Sequence, residues 1–375
     1  MVKFIHTSDW QLGMRRHYLS AEAQARFTDD RIGAIGSIGR MAAESRSTFV
    51  VVAGDVFEDN AVDRQVVLRA LDAMKAAQVQ FYLLPGNHDP LNDGSVYRSP
   101  KFLERLPTNV TVIESSAPIT AAPGVQLVGA PWFSKRPLND LVGAAIREIE
   151  PEPGDVRIVV GHGATDAMGG DNPAIIDVTS VEAAFAGGTI HYLALGDRHS
   201  PTQVGASGRA WYSGAPEPTD YDEINQGHVL VVEIDDGECS VEKVHIGKWR
   251  FIERKLPMNG SADTKTVDEW LESLPDKPTT VLKLSFEGTL HLKFKLQLDA
   301  IMERAATLFG AVEFWERHTD LVVMSDDSDF GDLGLTGFAS EALRDLQDAA
   351  RIPGPTSEQA TGALALLYRL AGGVA

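Results

Sequence analysis

The chain has 375 residues, a formal net charge of −19 and one cysteine, Cys239. Its length favours about two to three domains, and a single cysteine excludes an intrachain disulfide or a zinc site built from cysteines. No apolar stretch reaches the roughly 18 residues that a bilayer span requires. Polar candidate site residues begin at His6, which leaves no room for a signal peptide. We therefore expect a cytoplasmic globular protein without a membrane segment.

The acidic residues are unevenly distributed along the chain. Residues 1–150 hold 16 Lys and Arg against 17 Asp and Glu, whereas residues 151–250 hold 6 against 16. Proteins that grip nucleic acid usually carry a basic surface, so this charge disfavours tight DNA binding by the chain alone. A weak and salt-dependent contact with phosphate through the nearly neutral first part stays possible.

The first part of the chain alternates strand-like and helix-like patterns, which is typical of an α/β core. Predicted strands cover Val2–Thr7, Phe49–Ala53, Phe81–Leu84, Val110–Ile113, Val125–Gly129, Ile158–Val160 and Tyr192–Leu195. Predicted helices cover Ala21–Ser45, Val62–Ala77, Pro100–Leu106 and Leu138–Ile149. Later strands at Trp211–Tyr212, His228–Ile234 and Ser240–Ile246, the last two joined by a DDG turn, favour an antiparallel edge.

A second region begins at about Trp249. Strands at Thr280–Phe286, Ala311–Phe314 and Leu321–Met324, with a helix at Leu298–Leu308, predict a small α+β unit. An acidic segment containing glycines then predicts a linker. Two amphipathic helices follow it, separated by Pro353-Gly354-Pro355. The predicted divisions are 1–247, 248–325, 326–335 and 336–375.

Polar residues follow five of the apolar strand-like runs. They are Asp9, Asp55, the Asn87-His88-Asp89 turn, His162, and the pair Asp197 and His199. Open α/β sheets bind ligands at the carboxyl ends of their strands, so these side chains can converge on one crevice. Oxygen and imidazole ligands without sulfur suit Mn, Fe or Zn, and paired ions of this kind suit phosphoester hydrolysis.

The motifs around these residues are HTSDWQLG at 6–13, GDVFEDN at 54–60, GNHD at 86–89, GH at 161–162 and GDRH at 196–199. In this order they resemble the calcineurin-like metallophosphoesterases, and within them the SbcD family of DNA repair exonucleases, which opens with HTSDWHLG. The segment YSGAPEP at 212–218 is similar to the one that follows that family's last metal motif. GNHD in place of GNHE argues against the Ser/Thr phosphatase branch. The resemblance is strong over roughly the first 235 residues.

The resemblance implies a four-layer β-sandwich flanked by helices, a small α+β capping domain and a C-terminal helical tail. It also implies two divalent metal ions. The first ion would be held by Asp9, Gln11, Asp55 and His199, and the second by Asp55, Asn87, His162 and Asp197. Asp55 is the natural bridge because a carboxylate can hold two ions about 3.5–4 Å apart. His88 would protonate the departing 3′ oxygen, with Asp89 orienting its ring.

The sequence departs from the family at two of these positions. Gln11 replaces a histidine, and its neutral amide is a weaker ligand that could also swing away and leave water in its place. Asp197 replaces the first histidine of the GHxH motif, and its charge should tighten cation binding but raise the pKa of a bridging water. We therefore expect a preference for harder ions, Mn²⁺ foremost, with Mg²⁺ or Fe as alternatives.

Several contacts outside the metal site are predicted less directly. Arg15, Arg16 and His17 could contact the DNA backbone, or form a solvated turn. His6 fits a hydrogen-bonded core residue better than a ligand. By resemblance, the helix at Val62–Ala77 predicts a homodimer, and the tail helices predict binding to an SbcC-like ATPase. The tail helices could instead fold back on the cap.

These observations favour a metal-dependent DNA nuclease, with 3′–5′ exonuclease and endonuclease activity, acting in DNA end processing and repair with an SbcC-like ATPase. One alternative is a phosphodiesterase that acts on small nucleotides, although the cap and tail argue against it. Another is a structural DNA-end-binding subunit in which Gln11 and Asp197 have ended catalysis.

Overall fold

The computed structural model describes residues 1–150, 154–168, 173–324, 335–350, 356, 359–360, 363–364 and 367. The chain forms two compact units, Met1–Arg250 and Phe251–Ala375. The predicted linker, apart from Leu335, lies outside the described residues, as does most of the second predicted tail helix.

Two six-stranded sheets form the first unit. One sheet has the order β12-β11-β1-β2-β3-β4, in which these strands are Glu238–His245, His228–Asp235, Val2–Thr7, Phe49–Val52, Gln80–Leu83 and Val110–Val112. The other has the order β5-β6-β7-β8-β10-β9, formed by Ile119–Ala122, Val125–Gly129, Val156–His162, Tyr192–Gly196, Ala210–Tyr212 and Thr202–Val204. Strands β1 to β4 pair in parallel, as do β6, β7, β8 and β10. The carboxyl ends of the central strands therefore lie at one edge of each sheet.

The two sheets pack face to face and are covered by helices on their outer faces. Alternate residues such as Phe4 and Phe49 in one sheet and Val160 and Tyr192 in the other fill the interior between the sheets. Helices α1 (Ala21–Ser45), α2 (Arg64–Ala77) and α3 (Pro100–Leu103) cover the first sheet. Helices α4 (Leu141–Arg147) and α5 (Val178–Ala186) cover the second. This arrangement confirms the four-layer sandwich that the motifs imply.

Local capping explains where the two longest helices of this unit begin and end. Ser20 accepts a hydrogen bond from the Ala23 N–H and starts α1, which ends at Arg46 in the left-handed conformation. Asp63 caps α2, so that helix begins at Arg64 rather than at the predicted Val62. Strands β5 and β9 and helix α5 were not predicted, because they are short and lack a clear hydrophobic period.

The second unit contains a four-stranded sheet of β13 (Arg250–Met258), β14 (Thr280–His291), β15 (Ala311–Phe314) and β16 (Asp320–Met324). Helices α6 (Ser261–Ser273) and α7 (Leu292–Leu308) contribute to a core that includes Leu256, Leu282 and Leu298. Neither β13 nor α6 was predicted, but the unit is of the expected α+β kind.

One further helix, α8 (Phe338–Ala350), belongs to the predicted tail. Its Leu343 is buried against Leu335, Leu364 and Leu367, whereas Phe338 is exposed. Part of the tail's apolar surface is therefore covered by the tail itself. None of the helices in the described part of the chain combines the length and hydropathy that a bilayer crossing requires.

Candidate metal centre

The predicted ligands gather where the central strands of both sheets end. Asp9 follows β1, Asp55 follows β2 and Asn87 follows β3, while His162 closes β7 and Asp197 follows β8. One ligand atom from each of Asp9, Asp55 and His162 lies within 4.8 Å of the others, and all three side chains are buried. The packing of the two sheets therefore brings residues more than 100 positions apart in sequence into one cluster.

His162 lies at the centre of one half of the cluster. Its Nδ1 donates to the Ala53 carbonyl at 2.9 Å, so the other ring nitrogen, Nε2, faces the cluster. That nitrogen lies 2.7 Å from Asn87 Oδ1, 3.4 Å from Asp55 Oδ2 and 3.8 Å from Asp197 Oδ1. Once this ring has lost its proton to a bound cation, its Nε2 lone pair and the three acceptor oxygens would form the donor set that a divalent ion takes.

The other half of the cluster contains Asp9 and His199, with the Gln11 backbone bonded to that of Asp55. His199 Nε2 lies 3.9 Å from Asp9 Oδ1, and the Gln11 backbone N–H donates to the Asp55 carbonyl at 2.8 Å. The Gln11 side chain is buried, and its amide oxygen lacks a hydrogen-bond partner among the described residues. Leaving a buried acceptor without a partner costs folding free energy, so the Gln11 amide oxygen is a suitable metal ligand.

Four of the predicted ligands have an unusual backbone conformation. The φ angles of Asp9, Gln11, Asp55 and Asp197 are 53°, 41°, 55° and 97°, in the region that side chains other than glycine rarely adopt. Each such residue costs of order 1–3 kcal/mol and persists only where the surrounding structure enforces it, commonly at functional sites. The rest of the fold therefore stabilises a strained backbone at the positions of these predicted ligands.

Two motif glycines permit the close approach of the ligands. A Cβ atom at Gly54 would lie 2.1 Å from His162 Nδ1, and one at Gly86 would lie 2.2 Å from Asp55 Oδ1. No side chain fits at these distances. The glycines of GDVFEDN and GNHD thus belong to the site because they leave room for the ligands of neighbouring strands.

Among the residues that the structure describes, the carboxylates of the cluster have no lysine or arginine as an ion-pair partner. Within the described residues, the ion pairs of Asp9, Asp55 and Asp197 are all with histidine rings. Burial raises the pKa of Asp9. Burial alone would lower the pKa of His162, but Asp55, Asp9 and Asp197 raise it well above its ordinary value. Protonated histidine supplies positive charge here, and a divalent ion would supply it more completely.

His88 lies at the partly exposed edge of the cluster, with Nε2 4.0 Å from Asp55 Oδ2. Its Nδ1 donates to the Glu58 carbonyl at 2.8 Å, which fixes the orientation of the ring. Asp89 was expected to orient the His88 ring, but it bonds elsewhere. Its buried carboxylate accepts hydrogen bonds from Phe57 N, Gly86 N and the Tyr97 hydroxyl at 3.0, 2.8 and 2.6 Å. Asp89 therefore secures the GNHD turn, and the Glu58 carbonyl orients His88.

Two residues that the sequence did not single out contact His199. Its Nδ1 lies 3.3 Å from Glu223 Oε1 and forms a short hydrogen bond with the Thr219 hydroxyl. The one signal in the sequence is that both closely follow the YSGAPEP segment, which resembles the segment after the last metal motif. Ser213 of that segment lies 2.7 Å, Oγ to Oγ, from Ser8.

The three predicted DNA-contact residues differ in their surroundings. Arg15 and His17 are exposed, but Arg16 is partly buried and its guanidinium donates to the Thr219 carbonyl. Arg16 therefore joins the loop after β1 to the loop that carries Thr219. His6 is a core residue, as expected, since its ring nitrogens lie 3.0 Å from the Tyr192 hydroxyl and 3.1 Å from the Leu195 carbonyl.

Comparison with known proteins agrees with this geometry. The profile of the calcineurin-like phosphoesterases matches residues 2–232, and the chain belongs to that family. The SbcD subunit of the nuclease SbcCD from Rhodobacter capsulatus is 24% identical over 324 residues, covering 74% of this chain and 77% of the relative. The family and the buried Asp/Asp/His cluster together identify a metal-dependent phosphoesterase that binds divalent ions.

Solved structures that resemble the chain include TT1561 of Thermus thermophilus, at 9% identity and a TM-score of 0.41. The match covers 64% of this chain and 98% of TT1561. A dimetal phosphatase from Danio rerio is 12% identical with a TM-score of 0.40, and that match covers 64% of this chain and 95% of the phosphatase.

Proposed function

We propose that this chain is a metal-dependent DNA nuclease of the SbcD type, which cuts phosphodiester bonds as a 3′–5′ exonuclease and as an endonuclease. The observation that carries the proposal is the buried cluster of aspartate, histidine and amide ligands with His88 at its partly exposed edge. The relative named as a nuclease subunit supports DNA as the substrate.

In this proposal Asp9, Gln11, Asp55 and His199 hold one divalent ion, and Asp55, Asn87, His162 and Asp197 hold the other. When bound, the two ions supply an activated hydroxide and stabilise the charge on the phosphate. Mn²⁺ is the proposed ion because most of the ligand atoms are oxygens and a carboxylate replaces one imidazole. The unpaired amide oxygen of Gln11 supports its place in the first set.

His88 is the proposed proton donor. Because the Glu58 carbonyl accepts the Nδ1–H, the proton that the doubly protonated imidazolium ring would transfer is the one on Nε2, the nitrogen that faces Asp55. The ring is about one third exposed, so a substrate can reach it. Nε2–H would protonate the 3′ oxygen as its bond to phosphorus breaks, which lowers the charge that develops on the leaving group.

The wider assignments are also proposals. We propose a phosphoesterase domain at 1–247, a cap at 248–325, a linker at 326–335 and a partner-binding tail at 336–375. The tail would bind an SbcC-like ATPase, with the exposed Phe338 as one contact. That ATPase and a homodimeric partner would add DNA affinity that a chain with a net charge of −19 lacks by itself. A role in DNA end repair implies a cytoplasmic protein.

The test is cleavage of end-labelled linear and hairpin duplex DNA by the purified chain in Mn²⁺. We expect His88→Ala to reduce cleavage by about 10²–10⁴-fold while the variant still binds Mn²⁺. His318→Ala removes an exposed histidine of the other unit and should leave cleavage unchanged.

Hydrolysis of cyclic nucleotides without DNA cleavage would replace the proposal with a small-substrate phosphodiesterase. Tight binding of DNA ends without cleavage of any substrate, even after the ATPase is added, would instead indicate a structural subunit.

A further inference from the structure

Glu223 lies behind the His199 ring, on the side opposite Asp9. The two nitrogens of this imidazole serve different neighbours. Nε2 lies 3.9 Å from Asp9 Oδ1, whereas Nδ1 lies 3.3 Å from Glu223 Oε1 and bonds with the Thr219 hydroxyl. The ring therefore connects a buried carboxylate outside the ligand cluster with a carboxylate inside it.

The position of Glu223 is itself fixed. Its side chain is 3% exposed, and Oε1 accepts hydrogen bonds from Thr219 N at 2.8 Å and from Asp220 N at 2.9 Å. The Thr219 hydroxyl donates to the same oxygen. The loop backbone thus holds the carboxylate against the ring, and Glu223 forms an ion pair with His199.

We propose that Glu223 is a positioning residue for His199, an inference that rests on the proposed metal-dependent function. Its carboxylate accepts a hydrogen bond from the Thr219 hydroxyl, whose oxygen accepts the Nδ1–H, and this keeps the lone pair of Nε2 directed at the ion shared with Asp9 and Gln11. A carboxylate behind a ligating histidine fixes the tautomer and increases the basicity of the ring. This matters here because Gln11 is a neutral ligand, and His199 is the one imidazole assigned to that half of the site.

The test compares Mn²⁺ affinities by calorimetry, without reference to catalysis. Glu223→Gln keeps the shape of the side chain but removes its charge, and loss of such a partner typically weakens metal binding by about 10–100-fold. The matched control is Glu217→Gln in the same loop. Glu217 is also a buried carboxylate, but it bonds to the N–H groups of Lys248 and Trp249 rather than to His199, so this variant should bind Mn²⁺ like the wild type.

A double-mutant cycle with His199→Ala separates positioning from a general effect on the loop. If Glu223 acts through the ring, Glu223→Gln should change the affinity by less than about twofold once His199 is absent. An undiminished loss in that background would overturn the inference, and so would equal affinities of the wild type and Glu223→Gln. A wild type that binds no Mn²⁺ would overturn the metal-dependent function together with this inference.

The tautomer of His199 gives a second measurement that does not require a variant to fold. Nitrogen chemical shifts of the Mg²⁺-loaded wild type should show a protonated Nδ1 and an unprotonated Nε2. A protonated Nε2 in that sample would overturn the proposed positioning role.

Discussion

Glu217 gives the sharpest test of the energetics of the loop beside the metal centre. It is 1% exposed, and burial raises its pKa from the ordinary value of 4.5 to about 7, although the Trp249 and Lys248 N–H groups oppose the rise. An acid whose pKa is higher in the folded state stabilises the fold fully below the unfolded pKa. It loses that contribution as the pH rises through the folded pKa. The relevant window therefore runs from pH 4.5 to about 7.

The size of the effect follows from the two pKa values. A tenfold change in the ionisation equilibrium is worth about 1.4 kcal/mol, so the difference between 4.5 and about 7 makes ionised Glu217 cost about 3 kcal/mol at pH 8. Glu217→Gln resembles the protonated form and avoids this cost. Relative to the wild type, the variant should gain about 2 kcal/mol of unfolding free energy between pH 5.5 and 8.

The assay is urea unfolding of both proteins in EDTA at several pH values, followed by tryptophan fluorescence. Trp249, whose backbone N–H bonds to Glu217, is fully buried and reports on this loop. The same substitution at the exposed Glu238 is the matched surface control for the loss of one negative charge. A pH-independent difference for Glu217→Gln would refute the argument that burial of this carboxylate controls the stability of the loop.

Three other predictions concern the metal centre. Tyr97→Phe removes the 2.6 Å hydrogen bond to buried Asp89 and should cost about 1.5–3 kcal/mol of unfolding free energy; an unchanged urea midpoint would contradict this. Gln11→Ala should weaken Mn²⁺ binding in calorimetry and Gln11→His should strengthen it, whereas equal affinities of all three proteins would exclude Gln11 as a ligand. In thermal unfolding, Mn²⁺ at a hundredfold excess over its Kd should stabilise the wild type by about 2.7 kcal/mol. EDTA should abolish this stabilisation, and Mn²⁺ should not stabilise the Asp55→Asn variant.

The sequence alone determined the features that depend on residues close to one another along the chain. Strand β1 and helix α1 have the predicted bounds, because a short strand rich in apolar residues and a good N-cap are set by residues close in sequence. The motifs after the strands located Asp9, Asp55 and His162, since parallel strands present their carboxyl ends at one edge. His6 was also assigned correctly to the core.

Only the tertiary structure decided which distant groups support those ligands. The orienting partner of His88 is the Glu58 carbonyl, a backbone atom that no motif identifies. Asp89 instead binds Tyr97, and Glu223 reaches His199 from a loop 24 residues further along the chain. Such contacts depend on how the two sheets pack and how the loops close over them. Local sequence patterns show which residue types are present, but they do not give the distances between residues that are far apart in sequence.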